Sequence, residues 1–214
     1  MKAVKKVDGR SEKARQTRAR ILDAAGVLFL RDGYGATALQ DIADEAGCAV
    51  QTIYYSFGNK QTVLKELVDR TIAGDDQPVA TMDRAWFREA MEAATAAEHL
   101  RLHISATRAV LERVAPIMKV LEAAAATDPG IAALWPDQED PRLTVQTAAA
   151  TSLLGKPGAR SDLTVDRAAD LLFGLLSPEL YLLLVANRRW SPADWETWTR
   201  QTLETQLCEP NKRA

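Results

Sequence analysis

Residues 37–57, TALQDIADEAGCAVQTIYYSF, have the pattern of two short helices joined by a tight turn. Thr37, with Gln40 three residues later, matches a capping box, which predicts a helix from Ala38. Gly47 provides the left-handed turn that ends this helix, and a second helix is expected from about Val50. The first helix has an apolar face of four residues: Leu39, Ile42, Ala43 and Ala46. The stretch therefore predicts a helix-turn-helix.

The outward face predicted for the second helix is largely polar but carries no charge. Ile53 and Phe57, four residues apart, face inward. The outward residues are Val50, Gln51, Thr52, Tyr54, Tyr55 and Ser56. Hydroxyl and amide groups hydrogen-bond to phosphates and to base edges in the major groove. This face therefore predicts DNA binding.

The same stretch resembles the DNA-binding signature of the tetracycline-repressor (TetR) family of bacterial transcription regulators. The upstream run 17–37, TRARILDAAGVLFLRDGYGAT, matches the family's first helix and the glycine-aromatic turn after it. The matching residues further on are Thr37, Ile42, Ala43, Ala46, Gly47, Thr52, Ile53, Tyr54, Phe57, Asn59 and Lys60. Ala49 departs from the pattern, because the family usually has a capping side chain there. A missing cap costs a helix about 1 kcal/mol.

The resemblance implies a homodimer that places two recognition helices on a near-palindromic double-stranded DNA operator. Gln51 is expected to read base edges, with Val50 and Tyr55 making apolar contacts. Phosphate contacts are expected from Thr37, Thr52, Tyr54 and Lys60. Lys60 follows Asn59, the predicted N-cap of another helix, and a phosphate there would suit both the lysine and the helix dipole.

The composition favours an all-helical fold with an aliphatic core. Apolar residues make up 47% of the 214 residues and aromatic residues only 6%. The net charge of −2 is uneven: residues 1–20 carry eight Lys or Arg and two acidic residues, a net +6, so the remainder carries −8. A basic end on an acidic body suits a protein that contacts nucleic acid at one end.

Glycines, prolines and helical periodicity predict three parts. Residues 1–12 are expected to be a basic flexible arm, 13–73 a helix-turn-helix DNA-binding domain with its connecting helix, and 80–210 a larger ligand-binding and dimerisation domain. Residues 74–78 are the expected linker. Helices are predicted at 13–31, 60–73, 83–94, 96–113, 116–127, 141–154 and 164–187, with a last one after Ser191. The layout of residues 129–160 stays open.

The run 171–185 is apolar on nearly every side, so one face needs a partner beyond its own domain. Ser177-Pro178-Glu179 interrupts this run, which favours a kink over a membrane helix. Two C-terminal helices of this kind can pair with their copies as a four-helix dimer interface, and the TetR family is similar in this respect. The interface residues predicted are Leu172, Leu176, Leu183, Trp195 and Trp198. The alternative is a monomer core.

The resemblance also implies a small-molecule pocket in the middle helices, with a plain helical core as the alternative. The candidate lining residues are Trp86, Met91, His99, His103, Met118 and Trp135. His99 and His103 are four residues apart, a spacing that can ligate zinc, but no third ligand is evident. We therefore predict no metal and no cofactor.

Several other classes of protein are disfavoured by the sequence. It contains no nucleophile-elbow, zinc-protease or nucleotide-loop motif, so no catalytic residue and no enzyme is predicted. Cys48 and Cys208 lie far apart and suggest no disulfide framework, as in a reducing cytoplasm. Neither a signal peptide nor a membrane partner is expected.

The function expected is that of a cytoplasmic, homodimeric repressor that an unidentified small molecule releases from its operator. A transcriptional activator and an architectural DNA-binding dimer without a ligand are the alternatives. The sequence names neither the ligand nor the operator.

Overall fold

The computed structural model describes residues 9–74, 79–134 and 141–210, and across these ranges it is helical, with no strand. The predicted all-α fold is confirmed. The helices are α1 (Gly9–Asp32), α2 (Leu39–Ala46), α3 (Val50–Phe57), α4 (Lys60–Ala73), α5 (Ala85–Glu92), α6 (Ala96–Ala125), α7 (Pro129–Ala132), α8 (Pro141–Leu154), α9 (Val165–Leu175), α10 (Pro178–Tyr181) and α11 (Pro192–Leu207). Short 3₁₀ and π-helical segments cover Thr81–Asp83 and Leu182–Asn187.

The first of two compact units comprises Met1–Arg70 and Ile117–Leu134. It holds α1, α2 and α3 around a core whose fully buried side chains include Ile21, Phe29, Ile42, Ile53 and Leu64. The sequence predicts that the segment Ile117–Leu134 belongs to the second domain. It groups with the first unit because a polar cluster built on Asp128, described below, ties it there.

The second unit comprises Thr71–Pro116 and Trp135–Ala214. Here α9 packs against α8 and α11. Buried side chains of the unit include Leu100, Ile104, Leu153, Leu172 and Leu203. The predicted linker residues 75–78, most of the predicted arm and Trp135 lie outside the described residues.

Side chains cap three of the helices, including α4, for which the sequence predicts Asn59 as the N-cap. The Asn59 Oδ1 atom accepts a hydrogen bond from the Thr62 backbone N–H at 2.8 Å. Thr164 Oγ1 accepts from the Arg167 N–H at 3.2 Å, and Ser191 Oγ accepts from the Asp194 N–H at 3.0 Å. Each bond satisfies an N–H group that has no partner within its helix.

Pro116 does not divide the middle helices, and the prediction of separate helices at 96–113 and 116–127 is wrong. Helix α6 runs unbroken from Ala96 to Ala125 with Pro116 inside it. A proline in a helix interior costs about 3 kcal/mol. The residues on either side are buried: Val114, Ala115 and Ile117 are each at most 4% exposed. The free energy gained by burying these apolar side chains offsets the cost of the proline.

The predicted kink at Ser177-Pro178 is confirmed, although the single helix over 164–187 is not. Helix α9 ends at Leu175, and the Ser177 Oγ atom accepts from the Leu180 N–H at 3.1 Å to begin α10. A π-helical segment follows. By length and composition alone the run Val165–Asn187 could cross a membrane, but this run is not one straight helix.

The prediction for the dimer interface is wrong for three of its five residues. Leu172, Leu176 and Trp195 are at most 4% exposed within their own unit. The Trp195 ring packs edge-on against Tyr181, with ring centroids 5.1 Å apart. These side chains are already core residues because α8, α9 and α11 pack together. Leu183 is 49% exposed and Trp198 is half-buried. Of the five predicted residues, only these two have exposed side-chain surface that a second subunit could contact.

Candidate functional site

The helix-turn-helix has the geometry that the sequence predicts. Gly47 adopts the left-handed conformation with φ 63° and ψ 46°. The Cys48 N–H donates to the carbonyl of Ala43 at 3.0 Å, which closes the turn. Ala43 is fully buried together with Ile42 and Ile53. A small side chain at this position allows the two helices to approach closely.

The start of α2 differs from the predicted capping box. Ala38 is the N-cap, and its N–H donates to the Asp41 carboxylate at 2.7 Å. Gln40 instead donates to Asp44 at 2.8 Å. Thr37 is 2% exposed, and its hydroxyl donates to the Gly33 carbonyl at 2.9 Å. The phosphate contact predicted for Thr37 is therefore corrected, because this buried side chain fastens the turn before α2.

The outward face of α3 is accessible and uncharged. Tyr55 is 94% exposed and Tyr54 is 55% exposed. Gln51 is also exposed, and Val50 and Thr52 are half-exposed. No side chain caps the helix at Ala49, as the sequence predicts. Because the Tyr55 ring is almost fully exposed, it contributes little to the stability of the fold. Its position therefore indicates that this helix face is a contact surface.

Lys60 is held by backbone carbonyls of the turn that precedes α2. Its Nζ atom donates to the carbonyl oxygens of Tyr34 and Thr37, each at 2.9 Å, and lies 4.2 Å from the centre of the Tyr34 ring. Burial lowers the pKa of Lys60, and the nearby Asp128 carboxylate partly offsets this effect. An ammonium has three N–H donors. One therefore remains for a phosphate, and that contact stays a prediction.

Asp128 joins the segment after α6 to the helix-turn-helix unit. Its carboxylate accepts hydrogen bonds from the Tyr34 hydroxyl at 3.2 Å, the Gln61 amide at 3.1 and 3.2 Å, and the Gly130 N–H at 2.9 Å. These bonds, that of Gln61 foremost, lower the pKa of Asp128. Burial, reinforced by Asp128, raises the pKa of Tyr34 to about 12. Sequence reasoning missed this cluster, because its members are far apart in the chain.

A buried pair of histidines lies in the second unit. His99 and His103 are 0% and 1% exposed, with ring centroids 5.9 Å apart. The His103 Nε2 atom lies 2.9 Å from the Gln146 Oε1 atom. Within the described part of the chain, the other three ring nitrogens of the pair have no hydrogen-bond partner of normal geometry. Gln146 was not identified from the sequence, since no pattern links it to the histidines.

Both histidines are held in the neutral form. Burial, then His103 and Lys156, lowers the pKa of His99 to about 3, while the Ala90 carbonyl partly offsets this shift. Burial also lowers the pKa of His103, against the effect of the Gln146 hydrogen bond. A neutral imidazole has one donor and one acceptor nitrogen. Apart from the contacts with the Ala90 carbonyl and with Gln146, the ring nitrogens of the pair have no hydrogen-bond partner among the described residues.

Only some of the predicted pocket residues come together. A series of edge-on ring contacts runs from Trp86 to Phe87, at 5.8 Å, and from Phe87 to His103, at 6.1 Å. Met91 is half-buried, and its carbonyl accepts from the Lys156 ammonium at 2.7 Å. Met118, by contrast, belongs to the first unit. No group of three or more His, Cys, Asp or Glu able to hold a metal occurs among the described residues.

Comparison with known proteins agrees with this geometry. Residues 21–67 match the model of "Bacterial regulatory proteins, tetR family". The chain is 41% identical over 58 residues to the transcriptional regulator TtgR of Pseudomonas putida, a segment that covers 27% of this chain and only 28% of TtgR.

Similarity of structure extends further than similarity of sequence. A TetR-family regulator from Mesorhizobium loti has a TM-score of 0.69 at 20% identity, covering 92% of this chain and 98% of that protein. A transcriptional regulator from Saccharomonospora viridis in complex with choline has a TM-score of 0.68 at 22% identity, covering 91% and 99%. At these identities the likeness concerns the fold.

Proposed function

We propose that this chain, whose residues 21–67 match the TetR family of bacterial regulatory proteins, is a cytoplasmic, homodimeric transcriptional repressor of that family that a small molecule releases from its operator. The observation that carries this proposal is the outward face of α3, where Tyr55 is 94% exposed on the second helix of a helix-turn-helix. Such a face, polar and aromatic without charge, is suited to the major groove.

In this proposal each subunit places α3 in one of two successive major grooves. The two helices would then lie about 34–36 Å apart, the spacing of one DNA turn. Gln51 would read a base edge, since an amide can bond to adenine at two positions. Val50 and Tyr55 would contact thymine methyl groups, and Thr52 and Tyr54 would donate to phosphates.

The second subunit would pack on the surface left exposed after α10. Leu183 is 49% exposed in a run of apolar residues, and Trp198 packs edge-on against Trp190 at 5.7 Å with part of its surface still exposed. Burying exposed apolar side chains of this kind favours association. Because a two-fold interface uses the same patch on both subunits, one substitution there acts twice.

The ligand would act through helices α4 and α6, each of which contributes residues to both units. Lys60, the first residue of α4, bonds to the Tyr34 and Thr37 carbonyls just before α2. A ligand-induced displacement of α4 would move this anchor and, with it, α2 and α3. Ligand binding would then shift the population between a DNA-binding and a released state.

The test of this function is selection of DNA from a random pool by the purified protein at two salt concentrations. Recovery of an inverted repeat is expected, with half-sites one helical turn apart. Salt-sensitive binding without a common motif would instead support an architectural DNA-binding protein. Absence of DNA binding under both conditions would contradict the proposal.

Replacing Gln51 with Ala should weaken binding to the selected operator by about 1–3 kcal/mol, because one base contact of this kind contributes that much discrimination. The variant should also tolerate changes at one base position of each half-site. Binding to single-base operator variants measures both effects. Gln201→Ala, an exposed glutamine of α11, is the matched control. An unchanged preference in Gln51→Ala would remove this residue from base recognition.

Leu183→Glu should shift the protein from dimer to monomer, because it would bury one carboxylate per subunit at the proposed interface. Analytical ultracentrifugation across a range of concentrations measures the shift. Leu143→Glu is the matched control, since Leu143 on α8 is 42% exposed. If both variants dimerise like the wild type, the interface lies elsewhere.

A further inference from the structure

Helix α3 depends on contacts with the rest of its unit for its position. It has only eight residues, and no side chain caps its start at Ala49. Isolated helices this short are unstable in water, and in proteins most helical stability comes from tertiary packing. At the other end, the last carbonyl groups of a helix have no partner within the helix. Side chains that bond to this end therefore fix the position of the residues on the last turn.

Arg18 of α1 holds the C-terminal end of α3. Its Nη1 atom donates to the Ser56 carbonyl at 2.7 Å, and its guanidinium carbon lies 4.2 Å from the centre of the Phe57 ring. Phe57 is only 5% exposed, so its ring is held in place by the core. The helix dipole favours a cation at this end, and the face of an aromatic ring attracts it further. One side chain thus fastens the last two residues of α3.

Glu66 of α4 holds the Arg18 guanidinium in this position. Its carboxylate accepts a hydrogen bond from the Arg18 Nη2 atom, and both side chains are partly buried. A planar guanidinium can bond to a carbonyl and a carboxylate at once while its face lies on a ring. A lysine ammonium lacks this geometry, so the site requires arginine.

These contacts lie next to the surface that is proposed to meet the operator. Ser56 directly follows Tyr54 and Tyr55, which are 55% and 94% exposed. We propose that Arg18 is a positioning residue for operator recognition, which holds the C-terminal end of α3 so that Tyr55 meets the DNA in one fixed pose. This inference rests on the proposed function. It adds a residue on α1 that determines recognition by acting through α3.

The alternative role for Arg18 is a direct contact with a DNA phosphate. Loss of a phosphate contact decreases the dependence of affinity on salt by about one counterion. Loss of a positioning contact should leave this salt dependence nearly unchanged and reduce the discrimination between operator and other DNA. Because the Arg18 guanidinium already bonds to Ser56 and Glu66 within the fold, we expect the second result.

Arg18→Met tests this, with Arg70→Met as the matched control. Arg70 makes the same two kinds of bond away from α3, to the Ala19 carbonyl at 3.2 Å and to the Asp23 carboxylate at 2.6 Å. Both variants should melt at a lower temperature than the wild type. Only Arg18→Met should reduce the ratio of operator affinity to scrambled-duplex affinity, by about tenfold, since a hydrogen bond from a charged group contributes that much.

Fluorescence anisotropy at several salt concentrations, well below both melting temperatures, measures this ratio and its salt dependence. An equal ratio in the two variants would overturn the proposal, because Arg18 would then serve stability alone. A salt dependence decreased by about one counterion in Arg18→Met would also overturn it, in favour of the phosphate contact.

A double-mutant cycle tests whether Arg18 acts through the end of α3. Arg18→Met should lower the operator affinity of the wild type but have little further effect in Tyr55→Ala, where the contact that it positions is already lost. Losses that simply add in the double variant would overturn the proposal, because Arg18 would then act independently of Tyr55.

Amide hydrogen exchange distinguishes failure of this inference from failure of the proposed function. The Gly58 N–H donates to the Tyr54 carbonyl at 2.9 Å, so its exchange reports on the end of α3 without DNA. Faster exchange in Arg18→Met than in Arg70→Met is expected. Wild-type protein that selects no operator would overturn the proposed function, while this faster exchange would still support Arg18 as the residue that positions α3. Equal exchange in the two variants would overturn the role of Arg18, whether or not an operator is found.

Discussion

Acidification from pH 7 to pH 5 should lower the unfolding free energy of this protein by about 2 kcal/mol through His99, with His103 adding to the loss. Burial holds the pKa of His99 at about 3 and lowers that of His103. In the unfolded chain both titrate near the ordinary value of about 6.5. Between these values the unfolded state binds more protons than the folded state, so stability falls as the pH falls below about 6.5.

Urea denaturation at several pH values measures this effect. The sequence contains only two histidines, and the part of the loss between pH 7 and 5 that disappears in His99→Leu is assigned to His99. His99→Leu should reduce the slope and leave the contribution of His103. A wild-type stability that is flat from pH 7 to 5 would mean that both rings become protonated without penalty, which would contradict their burial.

The local features of the fold could be predicted from the sequence because each depends on neighbouring residues. The turn at Gly47 follows from the conformational freedom of glycine. The caps at Asn59, Thr164 and Ser191 follow from side chains that accept bonds from N–H groups three residues on. The same reasoning predicts that Thr37 caps α2. The Thr37 hydroxyl donates instead to the carbonyl of Gly33.

Features that depend on tertiary contacts could not be predicted in this way. Leu172 and Trp195 have the pattern of an interface, yet the packing of α8, α9 and α11 buries them in one subunit. From the sequence alone, Pro116 is expected to end a helix, but burial of the side chains on either side keeps α6 continuous. Gln146 and Asp128 complete polar clusters with residues 43 to 94 positions away. No local sequence pattern records such pairings.

Lys60→Met should lower both the melting temperature and the affinity for the operator, the latter at least tenfold, or about 1.4 kcal/mol. Methionine keeps an apolar stem against the Tyr34 ring but removes the two N–H donors that hold the carbonyls of Tyr34 and Thr37. Hydrogen bonds from a charged group contribute about 1.5–3 kcal/mol each. The turn before α2 would loosen, so α3 would be less well positioned on every DNA sequence.

This prediction distinguishes two roles for the same lysine. A lysine that only contacts a phosphate should leave the melting temperature unchanged, while the dependence of affinity on salt decreases by about one counterion. A lysine that fastens the turn should lower the melting temperature with little change in the salt dependence. Lys65→Met is the matched control, because Lys65 lies in the same helix and pairs with Asp69 one turn later, at 2.7 Å. The two carbonyl contacts of Lys60 favour the second role, and an unaltered melting temperature in Lys60→Met would refute it.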